Sequence, residues 1–172
     1  MNSERSLDFE GFPGYWEIRK STKETNGEFF ETYMKIKESG KLPTHKHPMA
    51  EESYNVLSGK MEVYQNGKWE IVSEGMKHIV RPGTDHAFRT NDPVEVINIH
   101  KPALRYEEYF RKFHKLKTKV GVDMPPKSFK GMVLLGMLQV KYEQEFIGVN
   151  PPQWLFKAMA SLGRLLGYTL PK

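Results

Sequence analysis

Two histidines two residues apart, His45 and His47, lie in the stretch GKLPTHKHPMAEESYNVLSG, and an acidic pair, Glu51 and Glu52, follows them. Successive side chains on a strand point to opposite faces, so residues two apart share one. His45 and His47 can therefore aim two imidazoles at a single point. Glu52 opens the run ESYNVL, in which Glu52, Tyr54 and Val56 share a face. Imidazoles and a carboxylate converging from extended backbone make a partial coordination sphere for a divalent transition metal. Two His and one carboxylate with open positions is also the ligand set of many oxygen-using iron sites. Taken alone, the histidine pair has a competing reading, a solvated turn with incidental histidines. A second stretch, Gly75 to Asn91, adds a third histidine, His86, after a Pro82-Gly83 turn that would start a new strand.

Together the two stretches resemble the cupin family. The family's first motif is a glycine, five residues, HxH, three or four residues, a glutamate, six residues and a glycine. His45, His47, Glu52 and Gly59 match it, with the leading spacing from Gly40 one residue short. The second motif is a glycine, five residues, PxG, two residues, a histidine, three residues and an asparagine. Gly75, Gly83, His86 and a shifted Asn91 match it, while Arg81 takes the first proline's position and Pro82 stands next to it. The resemblance covers residues 30–105. It implies a jelly-roll barrel with one divalent metal inside, held by His45, His47, Glu52 and His86. Glu52 is preferred to Glu51 for its six-residue distance from Gly59.

The elements that must position these residues are short. Glu28 to Glu38 alternates, with Phe30, Thr32, Met34 and Ile36 on one face, and reads as a strand. Asn66-Gly67 marks a hairpin between Met61–Gln65 and Trp69–Val72. Lys77–Val80, His86–Thr90 and Val94–His100 follow as strands. About seven or eight such strands parted by Gly, Pro and Asn turns read as an all-β sandwich or barrel. The expected fold is therefore mainly β, a cupin barrel over residues 28–102. An aromatic arm over 1–27 precedes it, carrying Phe9, Phe12, Tyr15 and Trp16 and ending in an Asn26-Gly27 turn.

Val94, Val96, Asn98 and His100 share a face of the last strand. A buried polar side chain without a partner costs ~1–3 kcal/mol, so inward-facing Asn98 and His100 would have a partner or a function. The alternative places them on the surface near strand ends, as it does His78. Tyr54, Phe88, Asn98 and His100 are the candidate pocket residues.

From Leu104 the period changes. Tyr106, Tyr109, Phe110, Phe113 and Leu116 fall at helical spacings, a Pro125-Pro126 linker follows, and Ser128 could cap a second helix running to about Phe146. A third helix spans about Gln153 to Leu166, with Trp154, Leu155, Met159, Leu162, Leu165 and Leu166 on its apolar stripe. Residues 103–172 thus form a helical extension that must pack on the barrel, on itself or on a second copy of the chain. A homodimer is expected; peripheral membrane contact by Lys157, Arg164 and their apolar neighbours is the alternative.

Composition narrows the chemistry. With no cysteine, any metal must be held by nitrogen and oxygen. No stretch reads as a signal peptide or a membrane span, so a cytoplasmic location is expected. Residues 1–100 carry 13 Lys/Arg against 16 Asp/Glu, and residues 101–172 carry 13 against 5, so the basic excess lies in the extension. It has no nucleic-acid motif, and no nucleic-acid partner is expected. A phosphate loop and a serine-nucleophile elbow are both missing. A metal-dependent enzyme on a small, partly apolar molecule remains: a dioxygenase, or an isomerase or lyase acting through an enolate. A metal-bearing binding or sensing module without turnover is the second reading, and a structural scaffold the third. The residues do not choose among iron, manganese, nickel and zinc.

Overall fold

Strand β10, Val94–Lys101, lies within a sheet, and its alternation buries Val94, Val96, Asn98 and His100 on one face. The computed structural model describes residues 4–171 except 10, 12 and 41. On one side of β10 runs β3, Phe30–Ile36, which turns Phe30, Thr32, Met34 and Ile36 inward. On the other runs β5, Glu51–Ser58, itself bordered by β8, Lys77–Val80.

The sheet extends beyond β3. Strand β2, Tyr15–Lys20, pairs with β3, and β1, Ser6–Asp8, pairs with β2. The N-terminal arm is thus itself sheet edge, and the 28–102 span is joined by strands from outside it. Phe9 and Trp16 are buried, Tyr15 is half-buried, and Phe12 lies outside the described residues. Asn26 and Gly27 take positive φ inside the longer 21–29 connection between β2 and β3, not in a two-residue hairpin.

A second, five-stranded antiparallel sheet has the order β11-β4-β9-β6-β7. Its members are β4 (Thr44–Lys46), β6 (Lys60–Gln65), β7 (Lys68–Ser73), β9 (His86–Arg89) and β11 (Ile147–Asn150). Asn66-Gly67, both at positive φ, close the β6–β7 hairpin. Gly59 alone separates β5 in one sheet from β6 in the other, at φ +79°. A Cβ there would collide with the Pro93 carbonyl oxygen, so only glycine makes this corner. The jelly-roll arrangement, mainly β with a helical C-terminal extension, is the one expected.

Three helices follow. In α1, Tyr106–Thr118, the stripe Tyr106, Tyr109, Phe110 and Leu116 is buried, with Phe110 against Trp16 and Phe30. Glu107 and Glu108 in its first turn and Lys115 and Lys117 in its last suit the helix dipole. Ser128 caps α2, Phe129–Lys141, by accepting from the Gly131 N–H at 3.1 Å. This helix stops short of Phe146. The chain turns instead and enters β11, captured by pairing with β4.

Helix α3, Gln153–Leu165, packs on α2 through a stripe rotated from the expected one. Met159 meets Gly136, and Gly163 meets Val133 and Met137. Glycines allow close helix approach and so decide which face turns in. Trp154, Leu165 and Leu166, expected on the buried stripe, are exposed. Among the described residues, no helix is long and apolar enough to cross a membrane.

Candidate metal centre

His45 of β4 and His86 of β9 are direct partners across the antiparallel ladder, their ring centroids 4.3 Å apart. His47 follows β4, and its carbonyl accepts the Gly83 N–H at 2.7 Å. The Pro82-Gly83 turn of the second motif is thereby tied to the last histidine of the first. Glu52 enters from the other sheet, on the inward face of β5 opposite His100. All four side chains are buried, and one candidate ligand atom from each lies within 4.8 Å of the others. These residues could hold a metal ion. Glu51, the less favoured alternative, is half-buried beside Lys101.

Each imidazole is oriented from behind. His45 Nδ1 donates to the Pro43 carbonyl at 2.9 Å, His86 Nδ1 to the Thr84 carbonyl at 2.9 Å, and His47 Nδ1 to the Glu145 carbonyl at 2.6 Å. A carbonyl oxygen only accepts, so the proton is on Nδ1 and Nε2 is turned to the centre. There, Glu52 Oε2 stands 3.2 Å from His47 Nε2 and 2.8 Å from His86 Nε2. A lone pair facing a carboxylate oxygen is repulsive unless positive charge lies between them. A proton can do this for one pair, whereas a metal ion would satisfy all four groups together. The donor set, three nitrogens and one oxygen without sulfur, fits a borderline divalent transition metal.

Electrostatics agree. Burial lowers the pKa of His45 well below its usual value, and the neighbouring His86 and His47 lower it further, keeping the ring neutral. Burial opposes charge on Glu52, but the surrounding imidazoles of His47, His100 and His86 outweigh it and hold the carboxyl well below the usual range. At His86 burial is outweighed by the bond to Glu52, and its pKa is raised.

The second layer comes partly from β10. Asn98 Nδ2 donates to Glu52 Oε1 at 2.8 Å, fixing the carboxylate, and His100 Nε2 lies 3.4 Å from the same oxygen. Burial drives the His100 pKa down to about 3, so that ring is neutral. It stacks on Tyr106 with centroids 4.0 Å apart. Both Asn98 and His100 therefore face inward. His78 is part-buried and bonded to Gln65 Oε1 at 2.8 Å, away from the centre.

The rest of that layer comes from the extension. Phe146 stacks on His45 with centroids 4.4 Å apart and planes 12° from parallel. The Glu145 carbonyl that receives His47 also receives the Tyr106 hydroxyl at 2.8 Å. The buried Glu145 carboxylate accepts the Arg105 N–H at 3.2 Å. Gly148 of β11 pairs with His45, and a Cβ on it would collide with the Phe156 ring. Nothing in the spacing of residues 142–150 signals these roles, which arise only when the chain returns to β4.

A cavity of about 200 Å³ adjoins His45, His47 and Glu52. Tyr54, Phe88, Asn98 and His100 line it, together with aromatic side chains from β2, α1 and the segment after α2. Burial, then the charge of Glu52, raises the Tyr54 phenol well above its usual pKa.

The family described as "Cupin domain" matches residues 32–100. No curated protein matches the chain in sequence. Similar solved structures include an uncharacterized conserved protein with a double-stranded beta-helix domain from Klebsiella pneumoniae subsp. pneumoniae MGH 78578. It is 20% identical over 51% of this chain and 76% of that one, with a TM-score of 0.44. A predicted oxalate decarboxylase from Thermotoga maritima is 20% identical over 51% and 79%, with a TM-score of 0.48. DMSP lyase DddQ from Ruegeria pomeroyi DSS-3 is 25% identical over 45% and 40%, with a TM-score of 0.41.

Proposed function

Residues 32–100 being a cupin domain, we propose that this chain is a metal-dependent enzyme acting on a small, partly apolar molecule, as a dioxygenase or as an isomerase or lyase. The observation that carries this reading is the convergence of three carbonyl-anchored imidazoles and Glu52 beside an aromatic-lined cavity. When bound, the metal would supply Lewis-acid polarisation of a substrate oxygen or, if redox-active, chemistry with dioxygen.

The chain's own residues have definable parts. His45, His47, His86 and Glu52 would hold the ion, and Asn98 keeps the carboxylate turned toward it. Tyr54 and His100 line the cavity beside Glu52, and His100 Nδ1 has no hydrogen-bond partner among the described residues. There they can hold or pass a proton at a bound molecule's oxygen. Phe146 is part of a largely apolar, aromatic wall that would pack against a small apolar molecule.

The test is turnover. Oxygen uptake and solvent-deuterium exchange are measured on the metal-loaded protein across enolizable ketones and catechols. Metal-dependent turnover that vanishes in His86→Ala supports the reading. Metal retained with no turnover across the panel favours the binding module instead.

A further inference from the structure

The cavity beside the candidate metal ligands is lined by Trp16, Phe88, Phe110 and Phe146 among other apolar side chains, and among the described residues no lysine or arginine lines it. Away from the metal site, an anionic group would find no counter-charge on the described walls, and its desolvation would go uncompensated there. The extension brings polar side chains to this apolar wall, Tyr106, Tyr109 and Gln139 among them. Gln139 of α2 is 5% exposed and lines the cavity. Its Nε2 donates to the Tyr109 hydroxyl at 3.1 Å, and its Oε1 has no hydrogen-bond partner among the described residues. Tyr109 is separated from the ligand His45 by Phe146, which stacks on both. The Gln139 acceptor therefore belongs to the wall contributed by the extension and is distinct from the Tyr54 and His100 groups beside Glu52.

We propose that the cavity selects an uncharged, ring-sized apolar molecule carrying a hydroxyl or N–H group, which donates to Gln139 Oε1 while the ring packs against the aromatic wall. Gln139 is then a specificity determinant. This rests on the cavity being the substrate site of the proposed enzyme, and it names the class of substrate. The buried acceptor discriminates because a ligand without a donor leaves it unpaired.

The test is isothermal titration of the full chain with 4-propylphenol, propylbenzene and 4-propylbenzoate. The chain is used as purified and after chelator treatment, with circular dichroism to verify the fold and metal content measured on the same samples. 4-Propylphenol is expected to bind about tenfold more tightly than propylbenzene, the difference one buried hydrogen bond makes. 4-Propylbenzoate is expected not to bind the chelated chain. Gln139→Leu, close in shape, is expected to abolish the phenol's advantage while propylbenzene still binds. Equal binding of phenol and propylbenzene by the native chain overturns the proposal without reference to any variant. An advantage that survives in Gln139→Leu, or tight benzoate binding without metal, also overturns it. Metal retained without phenol binding defeats this inference alone. Phenol binding to a chain that takes up no metal defeats the metal-enzyme reading and leaves the cavity's preference standing.

Discussion

His47 donates its Nδ1 proton to the carbonyl oxygen of Glu145, 98 residues further along the chain and 2.6 Å away. One bond thereby joins a metal-ligand candidate in the barrel to the segment linking α2 and β11. The same segment lays Phe146 on His45 and receives the Tyr106 hydroxyl. The extension is thus a wall of the site as well as a packing appendage.

Phe146→Ala should uncouple that wall from the ligands. Removing a buried aromatic ring costs about 3–5 kcal/mol, and Phe146 is only half-buried, so the loss should sit at or below the lower end of that range. Urea unfolding gives the stability term, and chelator competition gives the metal term. Faster metal release with ligands intact is expected; unchanged release would show that the extension has no hold on the site.

How much of this was legible beforehand follows from the range of each signal. The ligand quartet is carried by local alternation and by two spaced motifs, and the structure brings those residues together. A period of two along β10 places Asn98 and His100 on one face but leaves open whether that face is inward, and the structure turns it inward. The roles of Glu145, Phe146 and Gly148 depend on a strand pairing that spans most of the chain. The α2 sequence, apolar nearly all round, does not mark where its helix must stop. The buried face of α3 departs from its most apolar one because hydrophobicity favours Trp154 and Leu165, whereas close packing against α2 runs through Gly163 and through Met159 on Gly136.

Asn98→Leu keeps the volume and deletes the donor to Glu52 Oε1. Groups that orient metal ligands typically contribute 10–100-fold in affinity. A loss of that order is expected, read by competition with a metal-sensitive dye, with the fold retained by circular dichroism. Native affinity in this variant would mean that Glu52 needs no support from β10.

Acid should destabilise the metal-free chain in a defined window. The His100 pKa is about 3 when folded against 6.5 for the free side chain. Between those values the unfolded chain binds a proton that the folded chain refuses, so stability falls as pH drops. One such group contributes a slope of up to ~1.4 kcal/mol per pH unit. His45, lowered in the same direction, adds to the slope, while raised His86 acts only above this window: its stabilisation is fully present below 6.5 and is lost as pH rises through its folded pKa. His100→Phe, which keeps a ring on Tyr106, should flatten the pH dependence of urea stability between pH 6.5 and 4. An unchanged slope would assign the acid sensitivity to other groups.

The most direct measurement is metal content by mass spectrometry on the purified full-length chain after loading with zinc, manganese, iron or nickel and desalting, alongside His86→Ala and Glu52→Gln. One tightly held ion per native chain is expected, falling to background in both variants while their circular dichroism stays native. A native chain that retains no ion after loading, or variants that hold as much as it does, would contradict the metal centre.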